Sequence, residues 1–327
     1  MKILVVGLGS MGRRRIRLLK KLISNVVIFG VDNSEIRRST VESTMNIKTF
    51  LNLEDIFEQE KIDCAFVCTS PISHAQIIKT CLSHEVHVFS EINLISEGYE
   101  ENIELAKTVG KVLFLSSTFL YREEIKYIKN KVNLHNKPLN YLYHIGQYLP
   151  DWHPWEQISD FFVSDIRTNG CREIFAIELP WLVDTFGAII NIHTIKRSIS
   201  ELEINYPDSY LVALEHEDGH VGGLAVDIVS RRPVRDLEIY GEELYLKWLG
   251  SGDSLEELNI ETKKMEKIQV YESLDLLKEY SDFVVENAYL EEIKLFFDVI
   301  SGTANSIYSF EEDAVILDII DRIEGIQ

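Results

Sequence analysis

KILVVGLGSMG, residues 2–12, is the stretch that decides the fold of the N-terminal part of the chain. Its apolar run predicts a buried strand, and Gly7, Gly9 and Gly12 follow that run in the spacing GxGxxG. The first glycine permits a tight turn, the second lets backbone approach a pyrophosphate, and the third lets a helix pack closely on the strand. An amphipathic segment follows over residues 16–22. The stretch therefore predicts a strand, a turn and a helix whose N-terminus binds a dinucleotide phosphate.

Asp32 closes a second apolar run, roughly twenty residues after the glycines, at the distance typical of the acidic residue in such sites. Its carboxylate can accept hydrogen bonds from the ribose hydroxyls and would repel a 2′-phosphate. This favours NAD over NADP. Arg37 and Arg38 leave an alternative open, since they are either solvated charges or partners for the phosphate of NADP.

Composition limits the class of protein. With 327 residues, 46% of them hydrophobic, the chain can form two domains with large cores. A net charge of −20 argues against sequence-independent binding to nucleic acid or to an anionic membrane, since both need a basic surface. No run of about 20 residues is uniformly apolar, so we expect no membrane span and a cytoplasmic protein. The basic triplet at 13–15 is interpreted as solvated surface charge or as help with the cofactor phosphates.

Cysteine and histidine give no sign of a metal site. The four cysteines, Cys64, Cys68, Cys81 and Cys171, show no CxxC spacing and are expected to be free buried thiols. The nine histidines are scattered along the chain. We therefore predict no bound metal.

The pattern of apolar runs changes near residue 120. Before it, short β-rich runs alternate with helical patterns, which predicts a parallel sheet that binds ligands at the carboxyl ends of its strands. After it, longer alternating runs predict strands at 140–148, 195–204, 210–216, 221–230 and 237–248, with a hairpin turn at 217–219. Two amphipathic helices close the chain. The prediction is an α/β domain over 1–120 and an α+β domain with a large, mostly antiparallel sheet over 121–327.

These residues resemble the Gfo/Idh/MocA family of nicotinamide-dependent oxidoreductases. The resemblance rests on GLGSMG, on CTSP at 68–71 followed by His74, on FSE at 89–91, and on the antiparallel second domain. It implies a Rossmann fold, NAD(P) chemistry and a sugar, inositol or other polyol as substrate. The cofactor-lining residues that the turn, Asp32 and the resemblance together give are Gly7, Gly9, Ser10, Met11, Gly12, Asp32, Arg37, Thr69, Ser70, Pro71, His74 and Glu91. His74 is alternatively a helix residue without a ligand.

The sequence departs from the family pattern at the proton-handling residues. The family usually carries Glu-Lys-Pro where this chain has Glu91-Ile92-Asn93, so the lysine is absent. The resemblance also implies an Asp and, four residues later, a His on a helix, and these positions hold Glu173 and Ile177. A shift of one residue would bring Glu178 to the second position. Other side chains must move the proton if the protein is an enzyme, since isoleucine is unable to do so.

The loop at 149–156 supplies one set of candidates. Trp152 and Trp155 offer faces for the C–H groups of a sugar, Glu156 can accept hydroxyl hydrogen bonds, and His153 has a suitable pKa for proton exchange. The alternative is that the tryptophans anchor a core and that His153 caps backbone groups.

A second set of candidates lies at 172–181. Glu178 stands in apolar company, where desolvation would raise its pKa, and Glu173 is a further acid/base candidate. Arg172 either binds substrate or pairs with Glu178, and Arg122 and Arg167 are the other cations proposed for a phosphorylated substrate. Because proline disrupts helices, the helix here is expected to begin near Pro180 or to kink at it.

The leading hypothesis is an NAD-dependent oxidoreductase that transfers hydride to or from a secondary alcohol or ketone of a sugar, sugar phosphate or nucleotide sugar. The alternatives are a non-catalytic NAD-binding protein and a lyase or epimerase that retains NAD. The expected partner is a small molecule, and the second sheet is expected to pair the chain into a homodimer or homotetramer.

Overall fold

The computed structural model describes residues 1–154, 157–276 and 283–326. The chain divides into two compact units. These are Met1–Ser117 with Tyr289–Ala314, and Thr118–Ala288 with Val315–Gln327. The predicted boundary at 120 lies beside the observed break, whereas Tyr289–Ala314, which the prediction gave to the second domain, lies with the first unit.

A parallel sheet forms the centre of the first unit. Its strands are β1 (Lys2–Val6), β2 (Val27–Val31), β3 (Lys48–Phe50), β4 (Cys64–Val67), β5 (His87–Ser90) and β6 (Leu113–Leu115). Within the described ranges the order is β3-β2-β1-β4-β5-β6, and each neighbouring pair is parallel. β4 is buried along its whole length, which explains its continuous apolar sequence. The predicted α/β fold with a parallel sheet is confirmed.

Helices cover this sheet. They are α1 (Ser10–Leu22), α2 (Glu35–Met45), α3 (Leu53–Gln59), α4 (His74–Ser83) and α5 (Tyr99–Val109). Phe296, from the C-terminal segment of this unit, packs its ring against Phe66, Phe89 and Phe114 at centroid distances of 5.4, 5.5 and 5.6 Å. These aromatic contacts are the reason that residues so late in the chain belong to the first unit.

The second unit contains a larger sheet. Its strands are β7 (Asn140–Gly146), β8 (Ile189–Arg197), β9 (Ser209–His216), β10 (Val221–Asp227), β11 (Val234–Tyr240), β12 (Tyr245–Trp248), β13 (Glu256–Asn259) and β14 (Lys264–Lys267). Among the described residues the order is β14-β13-β12-β11-β7-β10-β9-β8. β7 and β10 are parallel, and the other neighbours are antiparallel. The predicted mostly antiparallel sheet is confirmed.

Two strand predictions need correction. The strand expected at 195–204 lies earlier, at Ile189–Arg197. It ends there because the Asp208 carboxylate accepts hydrogen bonds from the N–H groups of Ile199 and Ser200 at 2.8 and 2.9 Å, which takes them out of the strand ladder. The run at 237–248 forms two strands, β11 and β12, which pair as a hairpin. The turn predicted at 217–219 is confirmed, and Gly219 there has a φ of +82°.

The remaining helices are α6 (Glu123–Leu134), α7 (Gly170–Phe186), α8 (Glu286–Ile300) and α9 (Phe310–Glu324). The expectation for α7 was wrong about its start, since the helix begins at Gly170 and continues through Pro180. The side chain of Asn169 explains this start, because it accepts a hydrogen bond from the N–H of Arg172 at 2.8 Å. None of the helices in the described residues is both long and apolar enough to cross a membrane.

Candidate functional site

The glycine-rich turn has the geometry that a dinucleotide needs. Gly7 has a φ of +91°, and a Cβ there would lie 2.7 Å from the carbonyl of Cys68. A Cβ on Gly12 would lie 1.9 Å from the carbonyl oxygen of Gly7, so both positions require glycine. A Cβ on Gly9 would meet nothing within 4 Å, which leaves open space beside the backbone for a phosphate group.

The start of α1 adds favourable electrostatics to this turn. Ser10 and Met11 lie in the first helical turn, which holds no acidic residue, and no side chain caps the helix. The N–H groups and the positive end of the helix dipole are therefore available to an anion. The residues present fit a dinucleotide pyrophosphate.

Asp32 is fixed at the end of β2 by the turn itself. Its side chain is buried, and its two oxygens accept hydrogen bonds from the N–H groups of Leu8 and Ser34, each at 2.8 Å. A carboxylate has about four lone-pair positions, so both oxygens retain capacity for ribose hydroxyls. Arg37 approaches the same carboxylate at 3.9 Å, and Arg38 donates to the carbonyl oxygen of Asp32 at 2.6 Å.

His74 connects the ends of two neighbouring strands. It begins α4, after Thr69, Ser70 and Pro71, and is almost fully buried. Its Nδ1 lies 2.6 Å from Oδ1 of Asn93, and its Nε2 lies 2.9 Å from the carbonyl oxygen of Thr69. Burial lowers the pKa of His74, so the ring is neutral near pH 7. Asn93 holds the position of the family's usual proline, and sequence reasoning gave it no role.

Glu91 belongs to a buried ion-pair network. Arg15 donates to Glu91 through Nε and Nη2 at 2.6 and 3.1 Å, and to Glu292 through Nη2 at 2.7 Å. Glu292 also accepts from the hydroxyl of Ser116 and the N–H of Ser117, at 2.9 and 2.8 Å. Burial opposes the charge of Arg15, but the two carboxylates outweigh it and raise the pKa of the guanidinium. The interpretation of residues 13–15 as solvated charges is wrong for Arg14 and Arg15, which are both buried.

The predicted cofactor residues thus share one edge of the first sheet. They follow the carboxyl ends of β1, β2, β4 and β5, which are adjacent in the sheet. Ile92, next to Glu91, is half-buried and offers no group that exchanges a proton. This edge has groups suited to binding and orienting a dinucleotide, whereas Ile92 is unable to transfer a proton.

Glu173 lies in the first turn of α7 with an unusual environment. Its Oε2 is buried and has no hydrogen-bond partner among the described residues, although the side chain as a whole is only partly enclosed. Desolvation by burial raises the pKa of Glu173 to about 7. A carboxyl group in this state can hold or release a proton near neutral pH.

Glu178, one turn further along α7, has the opposite environment. It is fully buried, and its Oε2 accepts hydrogen bonds from Tyr143 and Trp181, each at 2.8 Å. Arg235 donates to its other oxygen through Nε at 2.9 Å and through Nη2. The alternative interpretation of Arg172, as the partner of Glu178, is wrong, because Arg172 pairs with Glu324 and Asp321.

The loop after β7 is only partly described. Trp152 donates from its indole nitrogen to the carbonyl oxygen of Gln147 at 3.2 Å, and the His153 ring stacks on Phe161 with centroids 4.1 Å apart. Trp155 and Glu156, the other predicted substrate residues of this loop, lie outside the described residues. These two contacts, to Gln147 and Phe161, lie within residues 147–161 and do not involve Glu173.

Sequence reasoning missed two residues near these groups. Tyr206 is buried, and burial raises the pKa of its hydroxyl, with Glu173 among the charges that add to this effect. No local pattern marked Tyr206. Arg235 had a signal, because it shares a strand face with Leu237 and Ile239, which are buried. A cation on a buried face requires a carboxylate partner.

The first unit, with its glycine turn, a buried carboxylate at the end of the second strand and a parallel sheet, defines a dinucleotide-binding protein of the Rossmann class. Residues 1–117 match the family model of the Gfo/Idh/MocA proteins, described as an oxidoreductase family with an NAD-binding Rossmann fold. Over these residues the chain is similar to the Gfo/Idh/MocA family, as the sequence predicted. The predicted NAD-type cofactor is confirmed.

Two curated proteins show how far the similarity extends. Over 132 residues the chain is 31% identical to biliverdin reductase A of Mus musculus, covering 40% of this chain and 44% of that protein. Over 136 residues it is 25% identical to myo-inositol 2-dehydrogenase of Thermotoga maritima, covering 40% of each protein. The chain thus aligns with less than half the length of these relatives.

A solved structure resembles the chain throughout. An oxidoreductase from Agrobacterium radiobacter, in complex with NAD+, L-tartaric acid and magnesium, matches with a TM-score of 0.78 and 13% identity. The match covers 100% of this chain and 96% of that one. At this identity the likeness concerns the fold alone.

Proposed function

We propose that the protein is an NAD-dependent oxidoreductase that acts on a secondary alcohol or ketone of a polyol, sugar, sugar phosphate or nucleotide sugar, with Glu173 as the general acid/base. The observation that carries the proposal is the buried, partnerless oxygen of Glu173 together with its pKa of about 7. A general acid/base works best when its pKa lies near the working pH.

Glu173 is preferred to the other two candidates on the basis of their contacts. The carboxylate of Glu178 is occupied by Arg235, Tyr143 and Trp181, so a proton there would break a buried ion pair. The imidazole of His153 is stacked on Phe161. Glu173 alone combines a carboxyl oxygen without a partner with a pKa in the useful range.

We assign cofactor binding to residues of the first unit and proton transfer to Glu173 of the second. When bound, the dinucleotide supplies the two-electron step, taking hydride from the carbinol carbon or giving it to the carbonyl carbon. The chain holds the pyrophosphate at Gly7–Gly12, orients the ribose through Asp32, and fixes the strand ends through Glu91 and His74. In the oxidative direction Glu173 accepts the hydroxyl proton, and in the reductive direction it returns that proton to the oxygen.

The preference for NAD over NADP rests on Asp32. Its buried carboxylate lies where a 2′-phosphate would bring a second negative charge. Arg37 lies 3.9 Å from this carboxylate, so part of its charge is already balanced. Arg37 and Arg38 nevertheless provide the cations that NADP use would require.

The substrate class is supported by the family and by one relative. Myo-inositol 2-dehydrogenase of Thermotoga maritima bears the name of an enzyme acting on a polyol. Biliverdin reductase A, the other relative, bears the name of an enzyme with a different kind of substrate. Biliverdin is therefore the second substrate to test.

The test is turnover with a matched control. Purified protein is incubated with NAD or NADP and a panel of polyols, sugars, sugar phosphates, nucleotide sugars and biliverdin, and the absorbance of the reduced nicotinamide is followed. We expect Glu173→Gln to lower kcat by a factor of about 10² to 10⁴. The control is Asp184→Asn, an exposed carboxylate on the same helix, which should leave turnover unchanged.

The alternatives give different results in the same experiment. A non-catalytic NAD-binding protein would bind NAD tightly without turnover of any panel member, consistent with Ile92 in place of lysine. A lyase or epimerase would retain NAD through purification and convert substrate without net reduction. Full activity of the Glu173→Gln variant would contradict the role of Glu173.

The open face of the second sheet supports the proposal of a homodimer or homotetramer. Leu142, Ile195 and Leu211 lie on this face and expose more than half of their surface in the single chain, 53, 58 and 56%. They line a groove of about 800 Å³. Apolar patches of this kind are typical of protein interfaces, and we propose that a second copy of the chain covers this one.

A further inference from the structure

The loop between β10 and β11 carries two adjacent arginines at a defined place in the second unit. β7 and β10 are parallel, with Gly146 opposite Asp227 at their carboxyl ends. The chain then continues as Tyr148 on one side and as Arg231 and Arg232 on the other. The N–H of Tyr148 donates to the carbonyl oxygen of Ser230 at 2.8 Å, so the two segments remain in register beyond the strands.

The loop is held in one conformation by Asp227. This nearly buried carboxylate accepts hydrogen bonds from the N–H groups of Val229 and Ser230, at 3.0 and 2.8 Å, and from the Ser230 hydroxyl at 3.0 Å. His144 Nε2 lies 2.8 Å from the same carboxylate. Because four contacts fix this turn, the arginines that follow it project from a rigid base.

Arg231 and Arg232 differ from the cations that sequence reasoning proposed for a charged substrate. Arg122 pairs with Glu124, Arg167 with Asp165, and Arg172 with Glu324. Arg231 and Arg232 are exposed, and no carboxylate of the described residues forms an ion pair with either. In a chain with a net charge of −20, two neighbouring arginines that form no ion pair within the described part of the chain make a local positive site.

One of the two arginines is already oriented. The guanidinium of Arg231 lies over the ring of Tyr148, 3.6 Å from its centroid. Stacking covers the flat face and leaves the N–H groups at the edge, which are the groups that bind planar carboxylates and phosphates in pairs. The stacking contact with Tyr148 therefore restricts the Arg231 side chain before any ligand binds, which lowers the entropy cost of ligand binding.

The same end of the sheet also receives α7. A Cβ on Gly170, the first residue of this helix, would lie 3.2 Å from Ile228 and 3.3 Å from Leu149. Leu149 follows Tyr148 directly, and Glu173 is one helical turn beyond Gly170. The arginine pair and the proposed acid/base group are therefore built on adjoining segments of one unit.

We propose that Arg231 and Arg232 bind an anionic group of the substrate, a carboxylate or a phosphate, and so determine specificity at the site of Glu173. The inference rests on the proposed function, because the anionic group belongs to the substrate for which Glu173 is the proposed general acid/base. The neutral part of the substrate carries the reacting carbon. Arg231 binds the anionic group through paired hydrogen bonds and so positions the substrate, and Arg232 adds a second positive charge.

Binding is tested first without turnover. The NAD-loaded full chain is titrated calorimetrically with acetate and with inorganic phosphate, for the wild type, Arg231→Ala, Arg231→Lys and Arg232→Ala. Loss of a charge-assisted pair should weaken binding of the preferred anion at least about tenfold in Arg231→Ala. The lysine variant should recover only part of the loss, because it lacks the paired geometry. Arg197→Ala, an exposed arginine of β8, is the matched control and should bind as the wild type does.

The two probes distinguish a carboxylate from a phosphate, and turnover separates this proposal from the previous one. If the proposal is right, kcat/KM for an acidic or phosphorylated sugar falls in Arg231→Ala while that for the neutral sugar is unchanged. Anion binding that depends on Arg231 without any turnover would support the subsite and contradict the proposed activity. The subsite is overturned if neither probe binds the wild type, or if Arg231→Ala binds both as tightly as the wild type.

Discussion

Arg235 and Glu178 form a buried ion pair in the second unit, in which two guanidinium nitrogens donate to the same carboxylate oxygen. The second oxygen of Glu178 accepts hydrogen bonds from Tyr143 and Trp181, so both oxygens of the carboxylate are hydrogen-bonded. Glu173, on the same helix, has one oxygen, Oε2, that accepts no hydrogen bond from any residue that the structure describes. The two glutamates are therefore expected to respond in opposite ways to substitution.

Glu178→Gln should destabilise the fold strongly. The substitution leaves Arg235 buried with an unpaired charge, and breaking a buried pair typically costs about 3 to 5 kcal/mol. The free energy of unfolding, measured in urea, tests this. Replacing both partners together, with Glu178→Gln and Arg235→Met, should cost less than the sum of the single changes. Equal stability of Glu178→Gln and the wild type would show that the pair contributes little.

The pH dependence of catalysis should follow Glu173. Its pKa of about 7 means that kcat/KM for alcohol oxidation rises with pH up to about 7 and then levels, since only the ionised carboxylate accepts a proton. Ketone reduction should show the reverse, with loss of rate above about 7. Initial rates across pH in both directions test this. A profile that Glu173→Gln leaves unchanged would assign the ionisation to another group.

The same group should also affect stability. The folded chain keeps the Glu173 proton up to about pH 7, whereas the unfolded chain releases it near the ordinary value of 4.5. Between these values the folded state binds more protons, so the contribution of this group to stability falls as pH rises and is constant above about 7. Urea midpoints at about pH 5 and about pH 8 should differ less in Glu173→Gln than in the wild type. An identical difference would contradict the raised pKa.

Local rules made the first half of the site predictable. Gly7 and Gly12 follow from contacts within one turn, and Asp32 follows from the next strand, so residue type and spacing were sufficient. The same is true of the parallel sheet, since strands buried on both faces have continuous apolar sequences. The hairpin turn could be predicted because Asp218-Gly219 is a typical turn pair, and Gly219 has the positive φ that such a turn requires.

The buried ion pairs could not be predicted, because their partners lie far apart in the sequence. Arg15 pairs with Glu292, which lies 277 residues later, and Arg235 with Glu178, which lies 57 residues earlier. The sequence did not distinguish these carboxylates from others, because no periodic pattern predicts which cation packs against which carboxylate. That Oε2 of Glu173 has no hydrogen-bond partner within the described ranges is likewise a result of packing.

The open sheet face should control the oligomeric state. Ile195 and Leu211 are opposite each other on β8 and β9, so a charge at either position enters the centre of the proposed interface. Leu211→Glu should give a smaller species by light scattering at concentrations where the wild type associates, with no change in its circular dichroism. Ile36→Glu, at an exposed position of α2, is the control and should associate normally. A wild-type protein that is monomeric throughout would contradict the interface.

Cofactor choice should depend on the charge of Asp32. Asp32→Asn keeps the shape of the side chain and one acceptor oxygen but removes the repulsion of a 2′-phosphate. The ratio of kcat/KM for NADP to that for NAD should rise by about tenfold or more, since one unit charge at close range is worth about 1 to 4 kcal/mol between water and a protein surface. Adding Arg37→Ala to this variant should reverse part of the gain, because Arg37 then serves as a phosphate partner. If Asp32→Asn loses NAD and NADP equally, the carboxylate matters chiefly through its hydrogen bonds to Leu8 and Ser34, and the charge argument for NAD fails.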